Sequence, residues 1–149
     1  EIGTSVGLGT SVLSIGNPEA EIITLEGCEN TAQIAKELFN SFQLNNIQLY
    51  LGNFAETLPS TLKNKPYDLI YFDGNHQKKA TLHYFNLCLE TAHNNSLFIF
   101  DDINWSPEMQ QAWNEIKNHS KVTVSIDTYF WGLVFFRKEQ KKQHFIIRV

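Results

Sequence analysis

Apolar runs recur along the chain with helical stripes between them. EIITLE (21–26), IQLYL (47–51), YDLIYFD (67–73) and SLFIFDD (96–102) are nearly continuous rather than alternating. That pattern predicts strands buried on both faces of a parallel sheet. Ile34, Ala35, Leu38, Phe39 and Phe42 repeat at helical spacing, as do Met109, Ala112, Trp113 and Ile116. The second of these helices has a legible start, with Ser106 as N-cap and Pro107 at its first position. Gly16 and Pro18 close an opening helix. Strand and helix alternating in this way predict an α/β fold of three layers, Rossmann-like, with a mostly parallel sheet.

The tail breaks the rhythm. KVTVSIDTYFWGLVFFRK holds two β-rich runs with no room for a helix between them, which predicts an antiparallel C-terminal hairpin at one edge of the sheet. HFIIRV adds a last extended piece. At the front, EI reads as only the end of the first, central strand. The expectation is a single domain over residues 1–149 with the N-terminal part of that strand missing, because a sheet without its central strand leaves neighbours unpaired.

Composition narrows the classes. The 149 residues are 42% hydrophobic and 13% aromatic, which excludes a disordered chain. A net charge of −4 gives no basic footprint, so no nucleic-acid partner is expected, and RKEQKK reads as a solvated face. No apolar run reaches about 18 residues, so no membrane span is expected. Cys28 and Cys88 have no CxxC-type spacing and read as reduced, partly buried residues of a cytoplasmic protein.

In an open parallel sheet, ligands bind beyond the carboxyl ends of the strands. Acids stand there repeatedly: Glu1 before Gly3 and Gly7, Glu26 before Gly27, Asp73, and the pair Asp101 and Asp102, with GNFAE (52–56) following another strand. The loop EIGTSVGLGT is not a dinucleotide fingerprint, since Ser5 stands where the second glycine belongs, and it lacks the lysine of a P-loop. Acid-x-Gly-x-x-x-Gly suits a cofactor with an uncharged bridge and an adenosine end, approached by bare backbone. Glu26 falls where an acid meets a ribose, and one carboxylate can accept a hydrogen bond from each hydroxyl of a vicinal diol. Capping of the helix in CENTAQIAKEL is assigned instead to Asn30 or Glu29.

The ordered set EIGTSVG, IITLEG, LGNFAETLP, YDLIYFDGNH and SLFIFDDINW resembles the class I S-adenosylmethionine-dependent methyltransferases. Within them, DGNHQKKATLHYF with FDDINW is similar to the small-molecule O-methyltransferase branch whose signature reads D-G-D-H. The resemblance runs from residue 1 to about 137. It implies that Glu1, Gly3, Thr4, Ser5 and Gly7 line the methionine part of S-adenosylmethionine. By the same resemblance Glu26 holds the ribose, Gly27 belongs to the cofactor-binding set, Asn53 and Phe54 flank the adenine, and Asp73 lies where cofactor and substrate meet.

If the strands ending at Asp73 and Asp101 are neighbours, about 4.8 Å apart, then Asp73, Asp101 and Asp102 crowd together. A divalent cation, magnesium before others, would relieve three carboxylates at that range. This agrees with the cation-dependent branch of the resembled family. The rival reading makes Asp102 a cap for the following turn.

His76 is the candidate base for the acceptor hydroxyl, against a plain helix-start role. Asn75 replaces the second aspartate of the signature and cannot take a proton near neutral pH. Trp105 either walls the acceptor pocket or packs. Phe130 and Trp131 read as structural, and His83, His93, His119 and His144 show no ligand spacing. The expected activity is methyl transfer to a small-molecule hydroxyl with metal assistance. Its rivals are a non-catalytic cofactor-binding domain and a nicotinamide-dependent oxidoreductase. Self-association is left open.

Overall fold

The computed structural model describes residues 1–63 and 65–148. They form two compact units, Glu1–Thr61 and Leu62–Val149.

In the first unit, Ile2 makes a parallel bridge to Leu25, so the opening residues do run beside a strand. Helix α1 (Leu8–Gly16) leads to β1 (Ile22–Glu26), α2 (Glu29–Ser41), β2 (Ile47–Leu51) and α3 (Phe54–Thr61). Strands β1 and β2 pair in parallel, Ile22 with Ile47 through Glu26 with Leu51. Strand β1 is largely buried, as a continuous apolar run should be. Strand β2 departs from expectation. Its outer edge carries no further strand among the described residues, and Tyr50 and Leu51 are exposed. Helix α2 buries Ala32, Ala35 and Phe39, but of the predicted stripe Leu38 is only half-buried, and Ile34 and the C-cap residue Phe42 are exposed.

Gly7 joins the loop to α1 with φ 87°, a conformation L side chains rarely adopt. A Cβ here would lie 2.7 Å from the Phe39 ring and 3.0 Å from the Ala35 methyl. Overpacking costs about 1–3 kcal/mol, and the left-handed backbone adds about 1–2 kcal/mol for a residue with a Cβ. Gly7→Ala is therefore expected to lower stability by about 3 kcal/mol, read as a shifted urea midpoint at unchanged slope. A midpoint within error of the parent would show that α2 does not set this approach.

The second unit runs β3 (Leu69–Phe72), α4 (Lys78–Cys88), β4 (Leu97–Phe100), α5 (Pro107–Asn118), β5 (Val124–Asp127), β6 (Gly132–Phe135) and β7 (Gln143–Ile146). The sheet order is β3-β4-β6-β5-β7. β3 and β4 are parallel, and β6 lies antiparallel to both β4 and β5. The predicted hairpin exists, but HFIIRV supplies β7, parallel to β5, so β7 rather than the hairpin holds the edge.

Phenylalanines fill the core. Phe72 stacks on Phe100 at 4.3 Å between centroids, and Phe85 meets Phe98 and Phe100 edge-on. All four stripe residues of α5 are buried, and Ser106 accepts from the Met109 amide at 3.2 Å as its N-cap. No helix among the described residues is long and apolar enough to cross a membrane.

Candidate functional site

The loop after Ile2 is shaped by three left-handed residues, Gly3 (φ 102°), Ser5 (φ 50°) and Gly7. The amides of Gly3 and Thr4 both donate to the Leu25 carbonyl at 3.0 Å, which folds the loop over the end of β1. Ser5 thus takes the backbone shape a glycine would take, at a cost of about 1–2 kcal/mol. Its amide donates to Glu26 Oε2 at 2.8 Å, while Glu26 Oε1 accepts from the Cys28 amide at 2.9 Å.

Each oxygen of this half-buried carboxylate therefore holds one backbone N–H and keeps acceptor capacity, since a carboxylate offers about four lone-pair sites. The two amides also fix its orientation at the end of β1. Capping is divided differently from the expectation. Neither Asn30 nor Glu29 caps α2; Cys28 occupies the N-cap with no side-chain capping hydrogen bond, and Glu26 satisfies its amide.

The Glu1 carboxylate is held from within the unit. Its Oε2 accepts from the hydroxyls of Thr10 and of Thr24, the latter at 2.6 Å, and Thr24 shares a 2.6 Å hydrogen bond with Thr4. Thr10 and Thr24 were not singled out from sequence. The available signal was a hydroxyl in mid-strand: Thr24 is fully buried in β1, where a polar side chain must find a partner.

Asn53 and Phe54 follow β2 at the start of α3. The Asn53 side chain accepts from the Ala55 amide at 2.9 Å, an N-cap geometry, and Phe54 is half-buried. Gly27 is exposed beside Glu26.

In the second unit, β3 and β4 are adjacent, with Phe72 opposite Phe100. The carboxylates that end them, Asp73 and Asp101, therefore leave a shared rim, and the Asp101 amide donates to the Phe72 carbonyl at 2.9 Å. Asp102 has φ 53°, which ends the strand alternation. The structure brings Asp73 and Asp102 to His76: Nε2 lies 3.6 Å from Asp73 Oδ1 and 4.0 Å from Asp102 Oδ2. The imidazole side chain is 28% exposed, reachable by a ligand yet partly shielded.

Both carboxylates therefore lie beside the nitrogen at which a base in this position would hold a proton. Asp101 is not part of this arrangement. Among the described residues no group of three or more His, Cys, Asp or Glu side chains is placed to hold a metal ion. As arranged, the three aspartates do not fit the magnesium centre expected of them.

Asn75 is exposed with φ 54°, a left-handed position that asparagine tolerates better than most residues. Trp105 is 73% exposed, so the packing alternative for it fails. Phe130 and Trp131 are also exposed, and the structural role at the hairpin tip belongs to backbone carbonyls instead. Burial pushes the Cys88 thiol up to about 12. Cys28 is exposed rather than partly buried, and hydrogen bonds from Thr31 hold its thiol below the ordinary value.

The profile of a family described as a methyltransferase domain matches residues 1–103, from the glycine loop through the acids after β4. Curated proteins give no match. Among solved structures the chain is similar to cofactor-bound Rv0187 from MTB, at 21% identity and TM-score 0.80 over 93% of this chain and 72% of that one. It is similar to the O-methyltransferase from Bacillus cereus in complex with SAH, at 22% identity and TM-score 0.74 over 90% and 71%. It is also similar to the O-methyltransferase TomG from Streptomyces achromogenes, involved in tomaymycin synthesis and in complex with SAM, at 19% identity and TM-score 0.75 over 91% and 71%. The fold is the Rossmann-like one these structures share, and on the match over residues 1–103 the chain belongs to the methyltransferase domain family.

Proposed function

We propose that residues 1–149 act as one S-adenosylmethionine-dependent O-methyltransferase domain whose acceptor is a hydroxyl of a small molecule. The observation that carries this reading is Glu26. Its carboxylate is oriented by two backbone amides at the end of β1, and both oxygens retain capacity to accept from a vicinal diol such as the ribose of an adenosyl cofactor. The SAM and SAH complexes of the similar O-methyltransferases support the same cofactor here.

Around the carboxylate, Gly3, Thr4, Ser5 and Gly7 offer a small-residue loop for the methionine portion, with Glu1 held beneath it by Thr10 and Thr24. Gly27 lies beside the ribose, and Asn53 and Phe54 flank the adenine. Binding in this way supplies position, and a sulfonium methyl already aligned with its acceptor needs little further assistance.

Asp73 and His76 are assigned the proton. His76 takes it from the acceptor hydroxyl, Asp73 and Asp102 stabilise the resulting imidazolium, and the acceptor oxygen displaces the methyl from sulfur. Magnesium among Asp73, Asp101 and Asp102 would supply Lewis-acid polarisation of the acceptor oxygen. As arranged the donor set does not fit an ion, and the proton falls to His76.

Transfer of label from methyl-labelled S-adenosylmethionine to a panel of hydroxylated small molecules tests the activity. The expected result is product formation that persists in EDTA. Loss of turnover on chelation, with recovery on added magnesium, would move the proton step from His76 alone to the metal. Label on no acceptor, with cofactor bound, would favour the non-catalytic binding domain.

A further inference from the structure

Three non-glycine residues of the second unit are left-handed: Asn75 (φ 54°), Asp102 (φ 53°) and Tyr129 (φ 82°). Such backbones persist only where the surroundings over-determine them, and they concentrate at sites where geometry matters. Two of the three, Asp102 and Tyr129, belong to segments joined by direct hydrogen bonds. Past Asp102, the Ile103 amide donates to the Phe130 carbonyl at 3.2 Å, and Asn104 Nδ2 donates to the Tyr129 carbonyl at 2.7 Å. The Trp105 amide closes the turn on the Asp102 carbonyl at 2.9 Å. The loop that presents Asp102 is thus hung from the tip of the β5–β6 hairpin.

The tip is itself locked from the far end of the chain. The Tyr129 amide donates to Asp127 Oδ1 at 2.8 Å. Arg148 Nη1 donates to that same oxygen and to the Asp127 carbonyl, each at 2.9 Å. The Arg148 guanidinium also lies 5.8 Å from the Tyr129 ring centroid, within cation–π range. Asp127 is buried while the Arg148 side chain is 48% exposed, so the pair is charge-assisted and open to solvent on the arginine side.

We propose that the β5–β6 tip is the positioning element for the Asp102–His76 pair, with Arg148 and Asn104 as the residues that lock it. Arg148 touches neither acid of the site. It acts through Asp127 and Tyr129, then through Asn104 and Ile103, on the backbone that aims Asp102. The consequence for turnover rests on the methyltransferase reading; the positioning itself does not.

Amide and imidazole NMR spectra of the full chain test it without activity. Arg148→Gln and Asn104→Ala should each shift the signals of Asp102 and His76 while leaving Ser5 and Cys28 in place. Arg148→Lys keeps the charge on Asp127 and should restore most of the parent pattern. In the transfer assay both disruptive variants should lower kcat about tenfold with KM for the cofactor unchanged. Asp102 and His76 signals that stay at parent positions in either cooperatively folded variant would overturn the proposal. Because Asn104 enters the network from the opposite side to Arg148, an unfolded Arg148→Gln leaves Asn104→Ala to decide. Shifted signals in a chain that never transfers methyl would sustain the positioning and sink the activity instead.

Discussion

Glu26→Ala lowers the affinity for S-adenosylhomocysteine about a hundredfold. Hydrogen bonds to a charged acceptor contribute about 1.5–3 kcal/mol each. Losing two, one from each hydroxyl of the ribose, removes at least about 3 kcal/mol, roughly two powers of ten in the dissociation constant. The substitution also releases the Ser5 amide from Oε2, so the loop that approaches the cofactor loses its tie to β1. Glu26→Gln should fall between. Its amide nitrogen can only donate, so it would face either the Ser5 or the Cys28 N–H with another donor, and only one oxygen stays to accept. Calorimetric titration reads both variants against the parent. An unchanged dissociation constant for Glu26→Ala would remove the ribose from this carboxylate.

The second large effect falls on chemistry rather than binding. His76→Ala should lower kcat by about two to four powers of ten, the range of a general base. Its cofactor affinity should not move. Nε2 lies 3.6 Å from an Asp73 oxygen and 4.0 Å from an Asp102 oxygen, so the substitution removes the ring that these two acids flank. With the side chain only partly shielded, added imidazole should recover a measurable share of the rate in His76→Ala. A variant that turns over at the parent rate would return His76 to a helix-start role. A fall in cofactor affinity with kcat intact would mean that the residue binds rather than reacts.

These two residues differ in how far the chain's own pattern reveals them. Glu26 is legible because it ends a continuous apolar run, and an acid at the carboxyl end of a buried strand stands where ligands gather. What orients it is not legible. The amide of Ser5 comes from a loop twenty-one positions earlier, and only the left-handed backbone at Ser5 brings it round. Thr24 holds Glu1 for a similar reason, since a hydroxyl inside an apolar strand reads as a β-former until its partner is seen.

The acids of the second unit show the other limit. Alternation along β4 would carry Asp101 and Asp102 to opposite faces, and spacing alone suggested three carboxylates crowding together. The left-handed turn at Asp102 decides instead which acid reaches His76, and that turn is tied to a hairpin more than twenty residues away. Likewise, helical periodicity placed Ile34 and Phe42 on the α2 stripe but carries no information on whether a partner covers them. The hairpin was visible as two β-rich runs, whereas its inner position, with β7 outside it, depends on pairings between distant segments.

The most direct test of the adenosyl site is calorimetric titration of the full chain with S-adenosylhomocysteine and, separately, with NADH. A single saturable site for S-adenosylhomocysteine is predicted, with stabilisation of about 2.7 kcal/mol at a hundredfold excess over the dissociation constant and no heat from NADH. Saturable binding of NADH with none of S-adenosylhomocysteine would contradict the account.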